Sequence, residues 1–268
     1  MAVRDAPGKR FPGAFFVLLA QLFCSALPLS PAVAAAADCA PPGSGSDATV
    51  ARVIDGDTLE LGDGRRVRLI GINAPELGHG RAPDQPLARA ARDLVMELLG
   101  SSEQRQPQIT LYFETARRDH YGRWLAHVQR GGTSLERELL RRGLAYHVAL
   151  PPNLALAPCL RAAERAARSA RAGLWSPAQP GPVASAAIAR GGYQRVRGRV
   201  ERVAFADAWW IQFAGDFTAV IYPEHQDWWD RKTVAGWRGQ TIEVRGWVYP
   251  ARRGGWRMKL PTPDARLP

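Results

Sequence analysis

The chain has 268 residues, of which 46% are hydrophobic and 23% are charged. It can therefore bury one large core or two ordinary ones, and this composition excludes intrinsic disorder as its main state. Its net charge is +11, and nearly all of the excess is arginine. Such a charge favours polyanionic partners, nucleic acid before anionic lipid, although an arginine-rich genome composition would give the same excess. No CxxC pair is present in the sequence, which excludes a zinc finger.

Residues 1–37 have the organisation of a secretory signal peptide. A basic start precedes an apolar run over residues 15–27 and an alanine-rich exit over residues 32–37. The apolar run is short for a transmembrane helix, so we expect cleavage near residues 35–37 and no stable membrane insertion afterwards. The mature protein would then be secreted or periplasmic. An uncleaved membrane anchor is the alternative.

The cysteines carry a related expectation. Cleavage would remove Cys24 and leave Cys39 and Cys159 in an oxidising compartment. Two cysteines in such a compartment suggest one disulfide, which would tie the extended N-terminus to the segment near residue 159. Two free thiols are the alternative.

After a flexible leader over residues 38–47, a first unit is predicted over residues 48–176. Alternating and apolar runs predict its strands at 49–54, 58–61, 66–72, 109–113 and 124–129. Helices are predicted over 87–98, from a capping box of Thr133 and Glu136 to Gly143, and from Pro158 to Arg171. Five strands with a helix between the third and the fourth give the order of an OB barrel, here with extra helices.

A second unit is predicted over residues 188–268, after a linker over 177–187 that is rich in proline and alanine. Its strands are predicted at 196–205, 209–213, 217–222, 241–249 and 256–260. A polar stretch separates the third from the fourth, again in OB order but without appended helices. The fold class is therefore β-rich α+β, an OB-type five-stranded barrel with three helices followed by a smaller OB-like barrel.

Seven of the nine tryptophans lie in this second unit. They could fill a small core or stack the bases of a bound single strand. The core is the preferred interpretation for most of them, because aromatic side chains dominate core burial.

Three short stretches place polar groups where strands meet turns: IDGDT at 54–58, RLIGINAPE at 68–76 and DHYGR at 119–123. Carboxylates that flank a glycine can direct oxygen ligands at a hard cation, although this is also a common hairpin turn. Arg68, in the middle of an apolar strand, is costly to bury unless an anion pairs with it. Two arginines, a carboxylate and a carboxylate–amide cation site are the parts needed for water attack on a phosphodiester.

Residues 48–176 resemble the micrococcal, or staphylococcal, nuclease family. The segments that carry the resemblance are IDGDTLEL (54–61), RLIGINAPE (68–76), RRDHYGRWLAHV (117–128), LLRRGLAY (139–146) and AERAARSARAGLW (163–175). They follow one another in order and cover nearly the whole first unit. The resemblance implies an OB-type barrel that cleaves DNA, RNA or both with the help of Ca²⁺ and leaves 3′-phosphate ends.

The resemblance also implies roles for individual residues. Asp57 would be a Ca²⁺ ligand, and the carbonyl oxygen of Ala74 would complete the cation shell. Arg68 and Arg123 would hold the scissile phosphate and stabilise its transition state. Glu76 would be the general base for the attacking water.

Two positions depart from the family pattern. Asn73 stands where the family has a second carboxylate ligand, so we expect weaker Ca²⁺ binding or a different divalent cation. Tyr146 is the aromatic candidate for base contact, although it stands earlier than the tyrosines of the family's nucleotide pocket. Tyr121 would contact a neighbouring phosphate of the nucleic acid.

The rival hypothesis is a non-catalytic nucleic-acid or cell-envelope binding protein with the same fold. Copies of the fold that do not cleave are expected to lose the arginines and the glutamate. This chain keeps Asp57, Arg68, Glu76 and Arg123, so an active nuclease is the preferred hypothesis. No protein partner is predicted.

Overall fold

A computed structural model of the chain describes residues 39–78, 80–100, 106–252 and 254–268. The predicted signal peptide lies outside these residues, so its cleavage stays a prediction. Among the residues described, no helix is both long and apolar enough to cross a membrane.

The first unit is a closed barrel with helices on its surface. Its strands are β1 (Ser46–Val53), β2 (Thr58–Leu61), β3 (Arg66–Leu69), β4 (Ile72–Asn73), β5 (Gln108–Tyr112), β6 (Trp124–Arg130), β7 (Thr133–Ser134) and β8 (Tyr146–His147). The barrel closes in the order β1, β2, β3, β6, β5, in which β3 and β6 are parallel and the other neighbours are antiparallel. This is the OB strand order that the sequence predicts.

Strand β3 shows how the alternation of residues places a functional side chain. Val67 and Leu69 are buried in the barrel core, whereas Arg68 lies on the other face of the strand. The prediction of one strand over 66–72 is wrong, because Gly71 has a φ of +82°. The chain turns at this glycine, so that Ile72 and Asn73 form β4 and pair with β8 instead.

The helices of the first unit are α1 (Ala88–Leu99), α2 (Leu135–Arg141) and α3 (Ala157–Ser169). Helix α2 begins one residue later than the predicted capping box implies. Ser134 is the N-cap and accepts a hydrogen bond from the backbone nitrogen of Arg137. The predicted box fails because Glu136 turns into the barrel, where it accepts hydrogen bonds from Ser134 Oγ and from the backbone nitrogen of Val128.

Glu136 is also part of a buried cluster around His127. The Nε2 atom of His127 lies 2.7 Å from Glu114 Oε1, and its Nδ1 atom lies 3.5 Å from Glu136 Oε1. Burial alone would lower the pKa of His127, but the hydrogen bond to Glu114 and the charges of both glutamates raise this pKa to about 9. The histidine is therefore a buried cation between two carboxylates at neutral pH.

The N-terminal leader is fixed at two points. Cys39 is joined to Cys159 of α3 in a disulfide with a Cα–Cα distance of 5.6 Å. Ser46 and Asp47 belong to β1 and pair with residues of β5. The prediction of a flexible leader over 38–47 is therefore wrong at its C-terminal end, because this end gains the hydrogen bonds of a strand.

The second unit is a second closed barrel. Its strands are β9 (Val183–Ala184), β10 (Gly192–Phe205), β11 (Trp209–Phe213), β12 (Phe217–Ile221), β13 (Thr241–Pro250), β14 (Trp256–Lys259) and β15 (Arg266–Leu267), and its helix is α4 (Arg231–Ala235). The ring order is β10, β11, β12, β14, β13, with β12 and β14 parallel. This is again OB order. Part of the predicted linker over 177–187 belongs to this unit, because β9 pairs with β10.

The tryptophans of the second unit divide between its core and its surface. Trp209, Trp229 and Trp237 are buried, Trp210 and Trp256 are half-buried, and Trp228 and Trp247 are exposed. The preferred expectation of core filling holds for the three buried rings. The two exposed rings need another explanation.

The second barrel is docked on the first through a buried ion pair. Arg245 of β13 extends its Nη1 atom to within 2.5 Å of Glu164 Oε1 on α3, and both side chains are almost completely buried. Near the C-terminus, Thr262 donates a hydrogen bond to the carbonyl oxygen of Ala149, and Asp264 pairs with an arginine of α3. These contacts fix the face that the second barrel presents to the first.

Candidate active site

The loop between β1 and β2 is held in place by its own carboxylates. Asp55 Oδ1 accepts a hydrogen bond of 2.9 Å from the backbone nitrogen of Asp57, and Asp57 Oδ2 accepts one of 2.6 Å from the backbone nitrogen of Ala74. Gly56 is required here, because a Cβ atom at this position would lie 2.7 Å from the Cβ atoms of Ala74 and Ala91. The IDGDT stretch is thus a tertiary anchor for the INAPE segment rather than an isolated turn.

The guanidinium group of Arg68 contacts both Asp57 and Asn73, the two side chains predicted to bind the cation. Its Nη1 atom lies 2.7 Å from Asp57 Oδ2, and its Nη2 atom donates a 3.0 Å hydrogen bond to Asn73 Oδ1. The Arg68 side chain is 11% exposed. The cost of burying this cation is therefore offset by Asp57.

Negative charge is concentrated around the loop. Burial, followed by the charges of Asp57 and Glu76, raises the pKa of Asp55 to about 7. The charges of Asp57 and Glu76 therefore oppose the ionisation of Asp55. A cation bound nearby would relieve this repulsion.

The oxygen donors of Asp57, Asn73 and Ala74 fit a hard divalent cation. Carboxylate, amide and backbone carbonyl oxygens are the ligands that Ca²⁺ takes. In the part of the chain that the structure describes, no group of three or more His, Cys, Asp or Glu side chains could hold a metal. A cation at this position would therefore depend on the neutral oxygens of Asn73 and Ala74 for part of its shell.

Arg123 is positioned by Asp119, which sequence reasoning did not single out. Asp119 accepts hydrogen bonds from the backbone nitrogens of Tyr121 and Arg123 and a 2.7 Å hydrogen bond from Arg123 Nε. Burial alone would raise the pKa of Asp119, but its hydrogen bonds and the charge of Arg123 lower it. Arg123 is thereby fixed at the start of β6, the strand that runs parallel to the strand of Arg68. The DHYGR stretch contains the signal for this role, since Asp119 is its first residue.

Glu76 is an exposed residue with a fixed backbone. Its backbone nitrogen donates to Gln85 Oε1, and its carbonyl oxygen accepts from the backbone nitrogen of Gln85. No periodicity or motif in the sequence indicates this role of Gln85, because it lies in the irregular segment before α1.

Most of the predicted site residues line one cavity of about 950 Å³. Arg68, Asn73, Glu76, Tyr121 and Arg123 are among its lining residues. The cavity therefore brings both arginines and the glutamate together around a space that a ligand can enter.

The other predicted site residues lie outside this lining. Asp57 and Ala74 are buried behind the cavity lining. Asp57 contacts Arg68, and the carbonyl oxygen of Ala74 accepts a hydrogen bond from Asn73. Tyr146 is not brought to the cavity, because its ring stacks on Tyr193 of the second barrel, with the centroids 5.5 Å apart.

Comparisons with known proteins find similarity to nucleases. Residues 66–177 match the family model described as staphylococcal nuclease homologue. A thermonuclease from Staphylococcus intermedius is 33% identical over 134 residues, which are 49% of this chain and 77% of the relative. An uncharacterized endonuclease from Escherichia coli O157:H7 is 33% identical over 137 residues, or 50% of this chain and 79% of the relative. The endonuclease YncB of Bacillus subtilis is 33% identical over 133 residues, which are 48% of this chain and 61% of the relative.

The matched region of the family model contains both arginines, Glu76 and Asn73, and it ends before the second barrel begins. The similarity to the thermonuclease and the endonuclease covers more than three quarters of each relative. The chain therefore belongs to the staphylococcal nuclease family.

Proposed function

We propose that this member of a nuclease family hydrolyses phosphodiester bonds of DNA, RNA or both. The observation that carries the proposal is the convergence of Arg68, Arg123 and Glu76 on one cavity. Hydrolysis requires the phosphate charge to be neutralised and the attacking water to lose a proton. Two guanidinium groups and one exposed carboxylate provide these two functions.

The two arginines are held differently and would act differently. Arg123 uses its Nε atom for Asp119, so its two terminal nitrogens are directed away from that contact and are suited to a forked interaction with a phosphate. Arg68 shares its terminal nitrogens between Asp57 and Asn73 and would bind the phosphate from beside the cation ligands. Both would stabilise the negative charge on the oxygens of the pentacoordinate phosphate in the transition state.

Glu76 is proposed as the general base. Its carboxylate would accept the proton of the attacking water, and departure of the 5′ oxygen would leave a 3′-phosphate end. The hydrogen bonds between its backbone and Gln85 support this role, since they limit the movement of an otherwise exposed residue.

Ca²⁺ is the proposed cation, with Asp57, Asn73 and Ala74 as its protein ligands. When bound, it would supply positive charge for the phosphate and the water. Because Asn73 is neutral, the site has one negative charge less than a site with two carboxylates would have. Weaker Ca²⁺ binding, or the use of another divalent cation, is the proposed consequence.

Secretion or export to the periplasm is proposed from the N-terminal sequence. The basic start, short apolar run and alanine-rich exit support this location, and so does the pairing of Cys39 with Cys159, because disulfides persist in oxidising compartments. The proposed substrate is then nucleic acid outside the cytoplasm.

The test is cleavage of single-stranded DNA by the purified protein with Ca²⁺, Mg²⁺ or Mn²⁺, with EDTA as the metal-free control. We expect Arg123→Ala to lower kcat by roughly two to four orders of magnitude, because a donor to the transition state is lost. Arg165→Ala is the matched control, since this exposed arginine of α3 lies outside the cavity. Binding of DNA without cleavage under all three cations would overturn the enzyme proposal and favour the non-catalytic alternative.

A further inference from the structure

One wall of the 950 Å³ cavity belongs to the second barrel. Trp247 and Tyr249 of β13, Lys259 of β14, and His225 line the same cavity as the two arginines. These residues lie beyond the family match, which ends at residue 177. The site is therefore wider than the nuclease unit alone would make it.

Exposed aromatic and aliphatic side chains are concentrated in this cavity. In the part of the chain that the structure describes, four large hydrophobic side chains are exposed, and three of them line this cavity: Tyr121, Leu150 and Trp247. Single exposed apolar residues are normal on a protein surface, whereas a cluster of them marks a binding site. The fourth, Trp228, lies outside the cavity.

Trp247 is 42% exposed but supported from behind. It is the register partner of Tyr193 on β10, and the two rings meet edge to face with their centroids 5.0 Å apart. Tyr193 in turn stacks on Tyr146 of the first barrel. The exposed ring is therefore braced by side chains of both barrels, and little conformational entropy remains to be lost on binding.

A basic group lies beside this aromatic surface. Tyr249 is two residues after Trp247 and so lies on the same face of β13, and its hydroxyl is 3.3 Å from that of Tyr222. The Lys259 ammonium lies 5.2 Å from the centre of the Tyr222 ring. Aromatic rings next to a cation are the arrangement that holds a single strand, with bases on the rings and a phosphate at the cation.

The geometry of this wall is fixed by the docking of the barrels. Arg245 lies in β13, two residues before Trp247, and its buried pair with Glu164 joins this strand to α3. The strand that carries the aromatic wall is therefore anchored to the first barrel.

We propose that Trp247, Tyr249 and Lys259 form a subsite for nucleotides that flank the scissile phosphate of a single-stranded nucleic acid. The subsite rests on the proposed nuclease function, since it extends the same cavity. A single strand is the occupant because its unpaired bases can stack on the rings, whereas the bases of a duplex are stacked on one another.

The experiment compares Trp247→Ala with Trp228→Ala, which removes a slightly more exposed tryptophan of the same barrel from outside the cavity. Binding of a labelled 12-nucleotide thymidine strand and of a 12-base-pair duplex is measured in EDTA, where no cleavage occurs. We expect Trp247→Ala to weaken single-strand binding roughly 5- to 100-fold, the loss of about one stacked base, with a smaller effect on the duplex. Trp228→Ala should bind as the wild type does.

Trp247→Phe keeps an aromatic ring and should recover part of the lost affinity, which a purely structural role would not predict. In cleavage assays, the effect of Trp247→Ala should fall on KM more than on kcat. Equal losses for Trp247→Ala and Trp228→Ala, or an equal loss for the duplex, would overturn the subsite. A wild-type protein that binds the strand but never cleaves it would overturn the nuclease proposal and leave the subsite standing.

Discussion

The buried pair of Arg245 and Glu164 makes a quantitative test of how the barrels are joined. The two side chains are 4% and 2% exposed, and their closest atoms are 2.5 Å apart. Arg245→Met keeps most of the side-chain length but removes the charge. Among the described residues, the Glu164 carboxylate would then keep one hydrogen bond, which it accepts from the backbone nitrogen of His147.

Removal of one member of such a pair costs about 3–5 kcal/mol, because the other charge stays buried without compensation. We expect a loss of this size in the free energy of unfolding of Arg245→Met. The double variant Arg245→Met/Glu164→Leu removes both charges and should be more stable than the sum of the single effects predicts.

The measurement is unfolding in urea, followed by tryptophan fluorescence, which reports mainly on the second barrel because seven of the nine tryptophans lie there. Arg197→Met, an exposed arginine of β10, is the control and should change stability by less than about 0.5 kcal/mol. A loss below about 1 kcal/mol in Arg245→Met, or strict additivity in the double variant, would refute the claim that this pair fastens the barrels.

Three further predictions concern the disulfide, the cation and pH. Cys39→Ser should cost about 4–5 kcal/mol of unfolding free energy by the loop-entropy relation, because the bond to Cys159 spans 120 residues; equal stability of the oxidised and reduced wild type would contradict this. Asn73→Asp should lower the half-saturating Ca²⁺ concentration of cleavage roughly tenfold or more, since a negative ligand is added, and an unchanged titration would remove residue 73 from the ligand set. Because the pKa of His127 is raised to about 9, its protonated form contributes roughly 3 kcal/mol to the free energy of unfolding, and this contribution is fully present below about pH 6.5. It should be lost as the pH rises through about 9. Urea unfolding measured from about pH 6 to 10 should show this loss in the wild type and not in His127→Gln.

The barrel strands were predictable because their residue alternation is strong. Strands β2 and β11 have the predicted bounds, 58–61 and 209–213. The errors lie where a local pattern competes with tertiary contacts. Glu136 fits a capping box but is drawn into the barrel by His127 and the backbone of β6, and Gly71 interrupts an apolar run that otherwise reads as one strand.

The site likewise contains residues that the sequence indicates and residues that only tertiary contacts reveal. Asp57, Arg68, Glu76 and Arg123 stand in short motifs, so the sequence can indicate them as a set. Gln85 has no such signal, because its contact with Glu76 arises only when the segment before α1 folds back on the INAPE segment.

The aromatic rings show why the wall of the cavity could not be inferred from the nuclease unit. Tyr146 is the aromatic residue that the sequence of this unit offers for base contact, but its ring packs between Trp175 and Tyr193. The stack continues through Tyr193 to Trp247, and these two rings of the second barrel line the cavity, whereas Tyr146 does not. A tyrosine that is used as a brace cannot also present its face to a base. The second barrel therefore adds the exposed ring of Trp247 to a cavity that already holds Tyr121 of the first barrel. The docking contacts that hold the second barrel in place also hold this ring in the cavity that Arg68 and Arg123 line.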